Sequence, residues 1–569
     1  MDYIIIAGVG LLLFFAKIIY DHTIYEKTQK NRRKLSFGEL TGSRRLTGEM
    51  LEEIALLSKR MEDVPGEIDD TTWNDFSMDL IFQKLNQTGS SVGEEVLYDI
   101  LRHPCMTPEN LEKREKTISF IETHEEERLS IRKIYEEMGK LPNSSFYGEL
   151  LRTDNFCFRS PVRYLCFSVL FIASFAFLWI GELWNVNIGI RMFVFFGVMA
   201  HNIFQYYRRK AQLEPYYRVL NYSIRLLYQS GRVEKLKIEG IEDELEAIRN
   251  LRKEFAGFQK GSSIVTHKTE GNPFEIALDY IRMVMFPDVV KFNSMMKTLV
   301  EKREQMLELF LNTGYLDSMY AIASYRKAYE GRICKPEFLS AKKKIYSVKE
   351  IYHPLIEEPV TNDFMVERSV LFTGSNASGK STFLKTLGIN TILAQSIHTV
   401  HAAVYQAPMY RVFSSMALAD NLLNGESYYI VEIKMLKRVL DHADGQAPIL
   451  CFIDEVLRGT NTTERIAASF RILKSLAARN ALCMAATHDG ELTTMLKQCY
   501  DNYHFEESIL SAEQSEDGLL HVEFDYKCKE GPAVTRNAIL LLESFGYPKD
   551  LTGQIRETVR QFEATGQWN

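Results

Sequence analysis

Ten consecutive residues, Thr373-Gly374-Ser375-Asn376-Ala377-Ser378-Gly379-Lys380-Ser381-Thr382, place two glycines, a lysine and two hydroxyls at the spacing of a phosphate-binding loop. Gly374 and Gly379 let the backbone curl so that successive N–H groups point inward at an anion, and the helix that follows turns its positive end toward the same point. Lys380 would reach the β- and γ-phosphates of a nucleotide, and the Ser381 hydroxyl would sit on Mg²⁺. Two further strand tips carry matching chemistry. Asp454-Glu455 supplies one carboxylate for the Mg²⁺ shell and a neighbouring one to orient or deprotonate an attacking water. Thr487-His488-Asp489 supplies a histidine that would sense the γ-phosphate. An isolated histidine is more often structural, but its place at the end of a third strand favours the sensor role.

These groups need rigid supports. The apolar run Ser369–Phe372 precedes the loop and the helix-forming run Phe383–Ile397 follows it, while the apolar runs Pro448–Ile453 and Ala481–Ala486 lead into the other two motifs. From about Cys334 onward short β-type runs alternate with helices, which predicts a parallel sheet with helices on both faces, the α/β fold of a P-loop NTPase. Upstream, 49–151 and 213–329 have apolar residues at helical spacing, for example Leu80, Phe82 and Leu85, and little strand signal. The expected organisation is therefore an all-α region followed by the α/β domain.

At 569 residues the chain is too long for one core, and its net charge of −7 argues against a protein coated in positive charge for nucleic acid. A local basic face remains compatible with that balance. The eight cysteines are scattered, with no C-x-x-C pair, as in buried reduced thiols of a cytoplasmic protein. Three apolar runs change the class. Tyr3–Tyr20, followed by Lys27, Lys30, Arg32, Arg33 and Lys34, reads as an uncleaved anchor, because its charges follow the apolar run instead of preceding it. Val162–Trp184 and Val186–Tyr207 read as a membrane hairpin with Arg159, Arg163, Arg208, Arg209 and Lys210 at its cytoplasmic base. Trp179, Trp184, Tyr206 and Tyr207 fall where an aromatic belt sits, whereas Arg191 inside the second arm favours a buried soluble helix.

Taken in order, the motifs resemble the MutS family of ATPases, a branch of the ABC superfamily. The resemblance rests on Gly374 to Thr382, on Gly425-Glu426-Ser427-Tyr428-Tyr429-Ile430-Val431-Glu432 as the signature segment, and on Asp454 to Thr462 as the Walker B strand end and D-loop. Ala486-Thr487-His488, His353-Pro354 and Asn362 also match. A fainter likeness covers Leu85 to Thr88, Gly93 to Leu97 and Leu101 to Pro104, with Leu316-Asp317 and Ser324 as a return into the ATPase. The resemblance implies ATP with Mg²⁺, held by Gly374, Ser375, Asn376, Ala377, Ser378, Gly379, Lys380, Ser381 and Thr382. It makes Ser381 and Asp454 the metal ligands and gives Glu455, His488 and Lys380 the catalytic roles. It also implies a head-to-tail homodimer in which Ser427 of one subunit completes the site of the other, Arg458 and Asn461 couple the two sites, and C-terminal helices (537–545 and 551–563) dimerise.

Departures from the family pattern bear on function. Only about 70 residues precede the core-like region, so the family's mismatch-reading domain is expected to be missing, and Phe37-Gly38-Glu39, which fits the reader's letters, recurs at Phe120–Glu122 and Phe505–Glu507. The position where relatives stack a ring on adenine falls near Pro359-Val360, and no nuclease tail is expected beyond Asn569. The expected plan is a transmembrane anchor (1–22), a cytoplasmic helical region (23–160), a transmembrane hairpin (161–208), a helical lever region (209–330) and the ATPase domain (331–569). Two function classes follow: a membrane-tethered ATPase that engages DNA, or an ATP-driven switch acting on a protein or membrane partner. An exporter is disfavoured, since three spans per subunit build little pore wall.

Overall fold

The structure is a computed structural model and describes residue 17 and residues 24–40, 46–61, 64–265, 273–375, 378–416, 428–457, 460–510, 521–533, 539, 542–543 and 546–566. The anchor expected at 1–22 lies, apart from Lys17, outside the described residues, as do Asn376, Ala377, Ser427 and Arg458 and most of 537–545. The chain divides into two compact units, one of Met1–Arg60, Asn86–Asp99 and Lys116–Lys327, the other of Met61–Leu85, Ile100–Glu115 and Ala328–Asn569.

The first unit is helical. Two of its helices, α1 (Pro161–Leu183) and α2 (Ile188–Leu213), form a hairpin and are long and apolar enough to cross a bilayer. At 1.5 Å per residue α1 spans about 35 Å. Among the described residues nothing covers their outer faces: Leu165 is 62% exposed and Phe193 80%, and Trp184 at the turn between the helices is 72% exposed. Between the arms, Phe195 packs on Phe171 and Phe175 with ring centroids 5.6 and 6.0 Å apart. Arg191 is drawn into this seam, where its guanidinium donates to the Leu178 carbonyl at 2.7 Å and lies 3.5 Å from Glu182. An apolar arm therefore carries a charge by satisfying it internally.

At the hairpin's base the chain passes from the helix Pro273–Met285 into α3 (Pro287–Glu301) through Phe286, which is buried with φ 56°. Pro287 at the first position of α3 forces this break. Carbonyls near the break find side-chain donors: Ser168 Oγ donates to Met285 O at 2.7 Å and Asn202 Nδ2 to Val284 O at 2.9 Å. Tyr206 donates to Asp288 Oδ2 at 2.8 Å.

Deeper in this unit, α4 (Arg303–Ala328) buries Phe310, Leu316 and Tyr320. Its Asp317 accepts the backbone N–H groups of Gly89 and Ser90, at 3.0 and 2.9 Å, just before the helix that starts at Ser91. A Cβ at Gly93 would overlap the Asp317 carboxyl, which explains the glycine there. Glu95 is likewise spent on backbone, accepting Phe146 N at 2.6 Å and Tyr147 N at 3.0 Å. Phe37 packs against Tyr320, with the Arg128 guanidinium 4.1 Å from its ring centre, so this Phe-x-Glu triplet has its aromatic ring in a packing role.

The second unit is built on a six-stranded sheet, ordered β10-β9-β4-β8-β7-β6. Its members are β4 (Ser369–Thr373), β6 (Arg411–Ser415), β7 (Ile449–Asp454), β8 (Ala481–Ala486), β9 (Tyr500–Leu510) and β10 (His521–Glu530). All neighbours pair in parallel except β10 with β9. β4, β7 and β8 are buried along their whole length, as continuous apolar runs in a sheet covered on both faces must be. α5 (Lys380–Ile397) follows β4 and is buried almost throughout, α6 (Tyr428–His442) precedes β7, and α7 (Thr462–Ala477) joins β7 to β8. The C-terminal helix α8 (Lys549–Thr565) closes the chain.

Two features correct the expectation of one parallel sheet. β10 adds an antiparallel edge, and a second, mostly antiparallel sheet of β1 (Glu337–Phe338), β5 (Val404–Ala407), β2 (Tyr346–Ile351) and β3 (Asn362–Val366) is present. Its strands are two to six residues long, too short for alternation to announce them. Segments from far upstream also complete this unit: Asp75 Oδ2 accepts Ser414 Oγ at 2.6 Å and Met416 N at 3.0 Å, closing off the end of β6. Phe82 and Leu85 are buried as the helical spacing predicts, but Leu80 is 54% exposed, being two residues from Phe82 and hence on the opposite face.

Candidate functional site

The carboxyl ends of β4, β7 and β8 lie side by side, because Phe372 pairs with Ala486 and Ala486 with Asp454. The phosphate-loop residues, Asp454, Glu455 and His488 therefore emerge at one sheet edge, where doubly wound folds bind ligands. The loop is shaped by its glycines. Gly374 has φ 145° and Gly379 φ 104°, and a Cβ at Gly374 would meet Phe505 O at 2.9 Å and Ser378 Oγ at 3.0 Å. Ser378 is buried and donates to Ser375 O at 2.9 Å, which tightens the turn. Lys380 opens α5 with its ammonium folded onto the carbonyls of Gly374 and Ser375, at 2.8 and 2.6 Å. That places the cation inside the curl of the loop.

Ser381 Oγ donates to Asp454 Oδ2 at 2.5 Å. A hydroxyl and a carboxylate this close form a hard-oxygen pair suited to Mg²⁺, which takes few protein ligands and fills its octahedron with phosphate oxygens and water. No group of three His, Cys, Asp or Glu that could hold a metal occurs among the described residues. Glu455 follows directly with φ 60°, and its amide donates to Ala486 O at 2.9 Å, so the backbone turns out of the sheet at the carboxylate that would meet water. Its Oε1 lies 2.9 Å from His488 Nε2. Both side chains are partly exposed, at 24% and 36%, so they are available to a bound molecule. Thr487 N donates to Phe372 O, and Thr487 Oγ1 accepts Asp489 N, fixing the turn that carries His488.

Beside the loop lies a pocket of about 370 Å³, lined by His353, Pro359, Val360, Phe383 and Tyr526 among others. Its lining is mostly apolar, with Asn362 and Thr382 among the polar members, and offers the Phe383 and Tyr526 rings to a planar group. Burial together with the nearby Lys385 and Lys84 pushes the His353 imidazole down to about 4, so it stands neutral there. Tyr526 carries no motif that would single it out in the sequence. The β9–β10 register shifts between Phe524 and Cys528, Asn362 holds the displaced backbone through Tyr526 O and Cys528 N, and the Tyr526 ring reaches Gly379, where a Cβ would lie 3.1 Å from it. Asp525 Oδ1 accepting Lys527 N is the local signal of this turn.

Two other contacts were not legible in the motifs. Glu432, in the segment read as the signature helix, is buried and accepts the amide of Leu457 just past Asp454 and Glu455. Arg465 clasps Asp489, at 2.6 and 3.0 Å, tying α7 to the histidine turn. Asn461, expected in a coupling loop, caps α7 by accepting Thr463 N at 3.0 Å.

A curled phosphate loop, a hydroxyl–carboxylate pair and a glutamate–histidine pair on one parallel sheet edge define a P-loop nucleotide-binding domain. Residues 370–563 match the family described as MutS domain V. The chain is 30% identical over 270 residues to the DNA mismatch repair protein MutS of Lactobacillus delbrueckii subsp. bulgaricus, covering 46% of this chain and 30% of that one. It is 31% identical over 209 residues to MutS of Thermus thermophilus, covering 36% and 24%, and 26% identical over 376 residues to MutS of Fusobacterium nucleatum, covering 60% and 40%. These matches relate the chain to the MutS family through its ATPase region, and the chain spans between about a quarter and two fifths of the length of these relatives.

Proposed function

We propose that this chain is a membrane-anchored, Mg²⁺-dependent ATPase of MutS type that dimerises on ATP and couples hydrolysis to movement of its helical region, engaging DNA without the usual mismatch reader. The observation that carries the enzymatic part is the convergence of Ser381–Asp454 and Glu455–His488 beside the phosphate loop. Lys380 and the loop amides hold the β- and γ-phosphates, and the neighbouring pocket takes the base. Ser381 and Asp454 hold Mg²⁺, which when bound neutralises phosphate charge. Glu455 orients the attacking water and accepts its proton, while His488, already hydrogen-bonded to that carboxylate, holds it in place and meets the γ-phosphate. ATP joins two subunits when Ser427 of one contacts the γ-phosphate on the other, and loss of that phosphate loosens the pair.

The relatives' role in DNA mismatch repair supports a DNA ligand. The exposed apolar faces of α1 and α2 support membrane insertion, and they also favour a second reading, an ATP-driven switch acting on a membrane or protein partner. ATP turnover by the detergent-solubilised chain, measured without DNA and then with homoduplex, mismatched and branched DNA across a salt series, separates the two. Stimulation that fades with salt is the expected result, because phosphate contacts release counterions. Turnover indifferent to every DNA would transfer the assignment to the partner-directed switch.

A further inference from the structure

The base of the α1–α2 hairpin carries a basic cluster around a narrow cleft of about 10 Å³. Arg159 and Arg163 enter it from the start of α1, and Arg208 and Arg209 from α2 where its apolar stretch ends. Arg209 is only 4% exposed, yet every acceptor it has is neutral: Asn293 Oδ1 at 2.8 Å, Cys157 O at 3.1 Å and Gln212 Oε1 at 3.2 Å. Its Nε is buried with no hydrogen-bond partner. Among the described residues none of the four arginines forms an ion pair with a carboxylate. This contrasts with Arg191 in the same hairpin, which has Glu182 beside it.

Guanidinium groups gathered in one cleft, one of them desolvated, call for a counter-charge. Arg159 also lines a second groove of about 670 Å³, in which the apolar Phe158, Pro161, Val290 and Val300 alternate with polar groups, Lys297 and Glu301 among them, and Asn293, the partner of Arg209, lines it too. Arginines beside a partly apolar groove, with Arg159 lining both, next to helices whose outer faces are exposed among the described residues, match a molecule with an anionic head and a hydrocarbon tail. We infer that the hairpin base binds one anionic phospholipid, its phosphate on Arg159, Arg163 and Arg208, with the buried Arg209 adding positive charge behind them, and an acyl chain in the groove beside Val290 and Val300. Basic pockets at the cytoplasmic ends of membrane helices suit such headgroups. The planar fork of arginine suits phosphate oxygens better than lysine would.

This inference rests on the hairpin lying in a membrane, so the first step is alkaline extraction of membranes from cells producing the full chain. Release into the soluble fraction would overturn both the hairpin reading and the lipid site. With the chain retained, native mass spectrometry of the detergent-solubilised protein is run with phosphatidylglycerol, phosphatidylcholine and inorganic phosphate in separate titrations. Expected is binding of phosphatidylglycerol at least tenfold tighter than phosphatidylcholine and unaffected by millimolar inorganic phosphate. In R159Q/R163Q/R208Q, which spares the buried Arg209 and keeps the wild-type melting temperature, the preference should fall below twofold. Equal binding of the two lipids, an unchanged preference in the triple variant, or displacement by inorganic phosphate would each overturn the lipid site while leaving the hairpin standing.

Discussion

Two pairs of carboxylates, one pair in each unit, are used in opposite ways. In the helical unit, Glu95 and Asp317 are buried and taken up by the segments they pin, Glu95 by the Phe146 and Tyr147 amides and Asp317 by the Gly89 and Ser90 amides with the Ser90 hydroxyl, and burial raises both pKa values. In the α/β unit, Asp454 and Glu455 stand at a strand end and face side-chain partners, a hydroxyl and an imidazole. A carboxylate whose oxygens are filled by backbone is holding a fold. One that shares its oxygens with side chains at a sheet edge can exchange those partners for a bound ligand.

The sharpest way to break this comparison is Glu455→Gln, which should lower ATP turnover by about 10²–10⁴-fold while ATP binding persists. Equal turnover in wild type and variant would remove Glu455 from the chemistry. Lys380→Ala comes next: loss of a charge-assisted contact worth roughly 1.5–3 kcal/mol should weaken nucleotide binding about 10–150-fold, read by equilibrium titration. Asp317→Ala should instead act on the fold, exposing the amides of Gly89 and Ser90 and costing about 2–4 kcal/mol of local stability. Hydrogen exchange at those two amides checks it, and undiminished protection would refute the assigned anchoring role.

A pH scan sharpens the contrast on the α/β side. Burial, with Lys84 and Arg332 nearby, lowers His401 to about 3, and His353 stands at about 4. Both bind protons more weakly folded than unfolded, so their contribution is complete above about 6.5 and is lost as pH falls toward those values. The melting temperature of the α/β unit should therefore drop across that window, and His401→Gln should flatten the slope. The smallest effect is expected from Asn461→Ala, about 1 kcal/mol from the lost helix cap, with Asn461→Asp restoring it in thermal unfolding.

Much of the site was legible because it is built from strand ends. Each motif follows an apolar run, so placing Gly374 to Ser381, Asp454, Glu455 and His488 at one edge needed only the rule that parallel strands align their carboxyl ends. Tyr526 was illegible because it arrives through a register shift between β9 and β10, and the one local sign, an aspartate next to it that accepts Lys527 N, is too common a turn residue to single it out. Glu432 was visible as part of a motif, but its bond to the Leu457 amide depends on how α6 packs, which spacing does not encode. The helical unit offered periodicity without partners: that Glu95 caps Phe146 and Tyr147 is a tertiary fact, invisible in a pattern of apolar residues.

The Asp317 anchor has a consequence in time. Ser90 and Asp317 are 227 residues apart, and the whole apolar hairpin is synthesised between them. At about 5–20 residues per second, the amides of Gly89 and Ser90 leave the ribosome roughly ten to forty-five seconds before their acceptor exists. The hairpin must therefore find its surroundings while the helical unit around it is still open, and translation of α4 is the event that lets that unit close.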